Sequence, residues 1–312
     1  QGVDRLTLMI DIAVLHTRLG NRERAIERYH LALDLSEKRN IKESQARIIG
    51  NLGLIYQSDG NLELAIRQYK RAYSIFALLG NTDKLSALDG NMGTIYREQG
   101  NLTEAIRHFD QAIESSIQSK NEINQGVFLG NRAMCAIDLQ KMHKARHDLE
   151  QAIEICDRHL EFAAGAFRGE LALLCVKQGE PDLAISLLRK GEEQVKQHKE
   201  QYGKFLCRKS SVFYAIHNQL EAKQALRQAE QLCIDLQLRP SSSLQRQLNE
   251  TQREIPASVW LSEQEIVERH FVANIAFRWA RYEITATQYP QALHHLHKAL
   301  QLFEVLRETE QI

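Results

Sequence analysis

His143 and His147 stand four residues apart, the spacing at which two imidazoles share one helix face and could begin a metal site. No Glu follows the first as in H-E-x-x-H, and no third ligand stands nearby in sequence, so both are expected to be surface histidines. The same expectation covers His294, His295 and His297. The five cysteines, Cys135, Cys156, Cys175, Cys207 and Cys233, are an odd set without C-x-x-C spacing. Each lies in an apolar stretch, so reduced, buried thiols of a cytoplasmic protein are expected, not a disulfide framework or a zinc site. Phosphate-binding G-x-G-x-x-G and G-x-x-x-x-G-K-S/T loops are missing, as is the G-x-S-x-G elbow of hydrolases. Carboxylates are numerous, but at helical spacing they are solvated or ion-paired. These observations predict neither enzyme, metal nor cofactor. The polar groups that recur in register are instead amides: Asn51, Asn91 and Asn131, forty residues apart and each preceded by glycine.

Whatever positions those amides repeats with the same period. Gly20-Asn21, Gly60-Asn61 and Gly100-Asn101 are forty residues apart, and an alanine recurs after them at Ala25, Ala65, Ala105, Ala145, Ala184 and Ala222. Seven residues on come Ala32, Ala72, Ala112, Ala152, Gly191 and Ala229. Seven residues are two helical turns, so both small side chains lie on one face, where another helix can approach. Between them stand Tyr29, Tyr69, Phe109, Leu149, Leu188 and Leu226, which supply the bulk. A preceding helix carries Leu52-Gly53-x-x-Tyr56 and Met92-Gly93-x-x-Tyr96. Each unit therefore reads as two antiparallel helices joined by a tight turn. The Asn after the turn glycine is expected to cap the second helix, and Pro181 and Pro290 fit its first turn. One such hairpin cannot bury its own apolar face, so the units must stack.

The pattern L-G-x-x-Y followed by alanine, a large residue and alanine resembles the tetratricopeptide repeat over roughly residues 8–236. The forty-residue period is similar to that of kinesin light chains, Leu-Gly-Asn repeat polarity scaffolds and bacterial Rap-type regulators. The resemblance implies an all-α, right-handed superhelical solenoid of antiparallel hairpins whose first helices line a concave groove for a partner peptide. It implies that Asn51, Asn91 and Asn131 form a ladder against the peptide backbone, since an amide both donates and accepts. The alternative is that these amides bond within the hairpin or to water and that Gly-Asn is a packing preference. The same faces carry Arg47, Leu54, Gln57 and Ser58, then Ala87, Thr94, Arg97 and Glu98, then Val127, Met134, Ile137 and Asp138. Leu54, Val127 and Met134 would form shallow apolar pockets beside Ala87, Arg47 and Arg97 would attract a carboxylate, and the glycines would leave the ligand room. A cluster of Lys and Arg able to clamp a terminal carboxylate is missing.

The domain expectation is six hairpins over 1–236, an irregular connector with a short helix over 237–262, and a final hairpin over 263–312, either a seventh repeat or a cap. The repeat fades toward the end: the sixth unit has no turn glycine at His217-Asn218, and the array stops at Leu238-Arg239-Pro240. Ser262-x-x-Glu265 then reads as a capping box, with Trp260 and Trp279 in cap and core. Lys plus Arg and Asp plus Glu balance at 40 each, so neither nucleic acid nor anionic membrane is an expected partner. No apolar run approaches the roughly 20 residues of a membrane span. The chain begins at Gln1 and not Met, as a segment of something longer would. The expected function is a protein-binding adaptor, with self-association through an exposed terminal repeat as a further possibility. The other reading is the sensor or autoinhibitory region of a larger signalling protein.

Overall fold

A computed structural model describes residues 5–19, 21–237 and 242–256, together with the separate positions 259, 265, 271, 272, 275–277, 295, 296, 298 and 299. The final hairpin expected over 263–312, with Pro290, Trp260 and Trp279, lies outside the described stretches. Among the described residues there are thirteen helices and no strand. The chain divides into two compact units, Gln1–Leu160 and Glu161–Ile312.

The first unit holds α1 (Arg5–Arg18), α2 (Arg22–Lys38), α3 (Lys42–Ser58), α4 (Leu62–Leu78), α5 (Thr82–Glu98), α6 (Leu102–Gln118), α7 (Glu122–Asp138) and α8 (Met142–His159). Each odd-numbered helix packs along the next even-numbered one, and each hairpin packs on its successor. The small columns explain the close pairing: Ala25, Ala65, Ala105 and Ala145, with Ala32, Ala72, Ala112 and Ala152, are all fully buried. Tyr29, Tyr69, Phe109 and Leu149 fill the space between them and are equally inaccessible. Leu6, Ile10, Ile48, Leu52, Ile55, Met92 and Ile95 join them in one continuous core through the first three hairpins.

Tight turns close the hairpins. Gly60 and Gly100 adopt φ of 78° and 75°, a left-handed conformation that favours glycine. Where the glycine is missing another residue adopts it: Asn40, Lys120, Gln140, His217 and Gln237 have φ between 49° and 61°. This is why the sixth hairpin turns at His217 without the glycine signal. Asn61 and Asn101 cap their helices, accepting from the backbone N–H of Leu64 and Glu104 at 3.2 and 3.3 Å. Asn21 makes no such bond, so the expected cap fails in the first repeat. Asn81, Asn121 and Asn218 cap α5, α7 and α12 in the same manner.

The second unit holds α9 (Glu161–Lys177), α10 (Pro181–Val195), α11 (Lys199–Ala215), α12 (Gln219–Asp235) and α13 (Ser243–Glu254). Pro181 opens α10, where its absent N–H has no partner to lose. The α9–α10 crossing is close enough to need glycine on both sides: a Cβ on Gly165 would lie 2.7 Å from the Gly191 carbonyl oxygen, and one on Gly191 2.9 Å from that of Gly165. Helix α13 lies against α11 and α12, with Leu244 and Leu248 inserted beside Leu206, Leu226 and Cys233. Ser242 caps it by accepting from the Gln245 N–H at 3.2 Å.

Candidate peptide-binding groove

The three asparagines stand on α3, α5 and α7, successive first helices of the first unit. Asn51, Asn91 and Asn131 are each half-buried, beside Gly50, Gly90 and Gly130, which are fully enclosed. Helices α5 and α7 touch, so the rungs on them are neighbours. Arg47, Asn51, Leu54 and Ser58 follow the three- and four-residue spacing of a helix face; all but the half-buried Asn51 are exposed, giving α3 one wet stripe. Leu54 is 46% exposed, an aliphatic side chain offered to solvent within that stripe.

The glycines serve packing and not the ligand. A Cβ at Gly90 would lie 2.0 Å from the Phe128 ring on α7, and one at Gly50 would meet Leu88 on α5 at 3.7 Å. They seat the following first helix, so the expectation that they leave room for a peptide is corrected.

The other candidates divide by whether this chain already engages them. Gln57 accepts a hydrogen bond from the Tyr69 hydroxyl at 2.8 Å, tying α3 to α4. Thr94 donates to the Gly90 carbonyl of its own helix at 3.0 Å. Arg97, expected to attract a ligand carboxylate, pairs through Nε with Asp138 on α7 at 2.9 Å. Met134 is buried, with 9% of its surface accessible, while Ala87 and Val127 are half-buried. Arg47, Leu54, Asn91 and Asn131 thus stand as the more open set.

Asn51 is set apart by its surroundings. Burial raises the Tyr29 phenol above its ordinary pKa, an effect opposed by the Thr17 hydroxyl, the Asn51 amide and the Arg47 charge beside it. Asn51 therefore reaches back toward the second helix of the preceding hairpin. One period on, Tyr69 donates to Gln57 instead, and Phe109 has no hydroxyl to offer.

Three polar features escaped the sequence reading. Asp11 occupies in α1 the column of the three asparagines and is exposed. Arg132 on α7 makes a two-pronged bond to Asp148 of α8, 2.8 Å on each prong, and a third at 2.7 Å to Asp110 of α6. These bonds, chiefly those with Asp148, raise the pKa of its guanidinium. His108 of α6 bonds Asp89 of α5 through Nδ1 at 2.8 Å, with both side chains buried. Each departs from its column: Asn51 against Asp11, Leu52 and Met92 against Arg132, Ile49 and Leu129 against Asp89. Reading columns across the repeat would have found them.

His143 and His147 are both exposed on α8. Among the described residues no group of three or more His, Cys, Asp and Glu side chains is placed to hold a metal. All five cysteines are free and buried, and no described helix is long and apolar enough to cross a membrane.

The MalT-like TPR region model matches residues 11–311. The chain belongs to that family. It is an all-α solenoid of TPR-like helical hairpins, and solved TPR-type structures share the fold. The apo form of RapI aligns with a TM-score of 0.62 and 15% identity over 98% of this chain and 100% of its own. A Rap protein complexed with Competence and Sporulation Factor aligns at 0.61 and 13%, over 97% of this TPR chain and 76% of the other. PilF of Pseudomonas aeruginosa aligns at 0.53 and 18%, over 80% and 97%. No curated protein matches the chain.

Proposed function

We propose that this TPR array is a protein-binding module, an adaptor or scaffold that holds a partner segment along the open faces of α3, α5 and α7. The observation that carries the reading is the half-buried asparagine column at one register position of three successive first helices. Amides can pair with both N–H and C=O of an extended chain, so such a row supports binding of many sequences. Leu54 and Arg47, both exposed, would add selectivity for an apolar and an acidic side chain beside it. Catalysis forms no part of this reading, and the compartment we assign is the cytoplasm, where buried free thiols persist.

The test is affinity capture from a lysate with mass spectrometry, followed by titration of the captured partner's segment. Asn91→Ala and Asn131→Ala should each weaken binding by more than about 1 kcal/mol, the cost of an amide left unpaired, with the melting temperature unchanged. Equal loss of binding and stability would assign these amides to the scaffold and sink the ladder.

A second reading is the sensor or autoinhibitory region of a larger signalling protein, switched by a peptide. It is supported by the alignment with RapI over nearly the full chain and by the peptide-factor complex of the related Rap structure. A catalytic or DNA-binding domain contiguous with this array in one polypeptide would favour it.

A further inference from the structure

Helix α1 carries an apolar stripe that its own hairpin does not cover. Leu8, Leu15 and Leu19 are 51%, 55% and 72% exposed, and Ile12 between them is half-buried. One period on, the same columns hold Ile48, Leu52 and Ile55, with 0%, 2% and 1% of their surface accessible. Those three are buried because α3 packs on the preceding hairpin. Leu31 of α2 borders the same open end at 46% exposure, and its counterpart Arg71 reaches back to Glu37 of the preceding second helix at 3.3 Å. The end of the first hairpin therefore has the chemistry of an internal repeat junction, without the polar outer surface that closes a solenoid in water.

The spacing identifies an occupant. Residues 8, 12, 15 and 19 alternate by four, three and four, which is the d, a, d, a seam of a two-stranded coiled coil. In that frame Asp11 and Arg18 both fall at g positions, while Met9 and His16 fall at e. Antiparallel pairing of α1 with another α1 sets Leu8 opposite Leu19 and Ile12 opposite Leu15. It also places g beside g, so each Asp11 meets an Arg18 of the other copy, twice by symmetry. Parallel pairing would set g beside e and leave both Arg18 side chains without an acid. Asp11 and Arg18 are exposed and free to turn toward such a seam.

We propose that this face is a self-association surface, on which α1 of a second copy of the chain docks antiparallel to form a two-fold dimer. The pairing is isologous: the same patch on both copies, closed by the symmetry and unable to grow into a fibre. It leaves the exposed side chains of α3, α5 and α7 outside the seam.

Sedimentation velocity across a concentration series to about 100 µM, where a Kd of tens of micromolar is visible, tests the proposal on the whole chain. The wild-type chain should dimerise. Leu15→Glu should weaken association at least tenfold with an unchanged circular dichroism spectrum and melting temperature, because Leu15 is already in solvent. Asp11→Arg and Arg18→Asp should each weaken it, and the double exchange should restore it. A wild-type monomer throughout, a dimer indifferent to Leu15→Glu, or an exchange that fails to restore pairing would each overturn the proposal. So would a monomeric chain that takes up a helical hairpin of a different protein on Leu15.

Discussion

Asp89 stands where Ile49 and Leu129 stand one period to either side, so a carboxylate occupies a place the repeat reserves for an aliphatic side chain. It is 1% exposed. Its Oδ1 is 2.8 Å from His108 Nδ1, while Arg107 lies 2.8 Å from His108 Nε2. Because a guanidinium only donates, Nε2 is the acceptor and Nδ1 carries the proton to Asp89. Tyr96 stacks on the imidazole with ring centroids 5.2 Å apart. Burial raises the pKa of the Tyr73 phenol on α4, and the Asp89 carboxylate raises it further. One side chain therefore joins α4, α5 and α6. Breaking such a buried pair strands a charge and costs about 3–5 kcal/mol, whereas replacing both partners by aliphatics is often neutral. His108→Leu should accordingly lower stability in urea by that amount, and Asp89→Leu combined with His108→Leu should recover most of it. A double variant as unstable as the single would show that the pair does more than satisfy itself.

Among the helices, the columns make a sharper claim. Ala105 is fully buried on α6 between α5 and its neighbours, and Phe109 and Ala112 on the same face are as enclosed. Ala105→Leu forces extra methylenes into that crossing and should cost about 1–3 kcal/mol. An unchanged urea midpoint would refute the register. The register was legible because a repeat states it several times over. Six alanines with a second small residue seven positions later leave only one face on which helices can meet. What was not legible is whatever happens once. The Gly90-Asn91 pair looked like a ligand seat, but glycine before asparagine is equally what Phe128 needs from α7, and one dimension cannot separate the two. The cap expected at Asn21 fails although Asn61 and Asn101 bond, since capping turns on a few tenths of an ångström in the turn. Arg97 read as a bait for a ligand acid because its partner Asp138 lies forty-one residues away, across the next turn. Likewise Asp11 was overlooked for differing from asparagine by one group, and the α1 stripe because Leu8, Ile12 and Leu15 fit the repeat so well. Their exposure follows only from being first.

At the scale of the molecule, both units keep acidic groups neutral in their cores. Burial pushes the thiols of Cys135 and Cys156 up to about 11, and that of Cys207 up to about 12. Cys233 is raised for the same reason, as are Tyr29 and Tyr69, and Tyr202 is pushed up to about 12. A thiol whose folded pKa exceeds its unfolded one favours the fold while it stays protonated in both states. Below about pH 9 these groups therefore make no pH-dependent difference. Above it the unfolded chain gains by ionising while the folded chain cannot, so stability falls by up to about 1.4 kcal/mol per pH unit for each thiol. The fall ends only as pH passes the folded values near 11 and 12. Melting temperature measured between pH 8 and 11 should be flat to about 9 and then drop. Tyrosines, with an ordinary value of 10.0, join only in the upper part of that window. The slope between pH 9 and 10 should therefore belong chiefly to the thiols, and the triple variant Cys135→Ala, Cys156→Ala, Cys207→Ala should flatten it. The comparison is of slopes, because alanine also removes packing from sites where the thiols are fully enclosed. If wild type and variant decline in parallel across that unit of pH, the thiols ionise in the folded chain as readily as in the unfolded one, and the closed repeat junctions argued from their burial admit water.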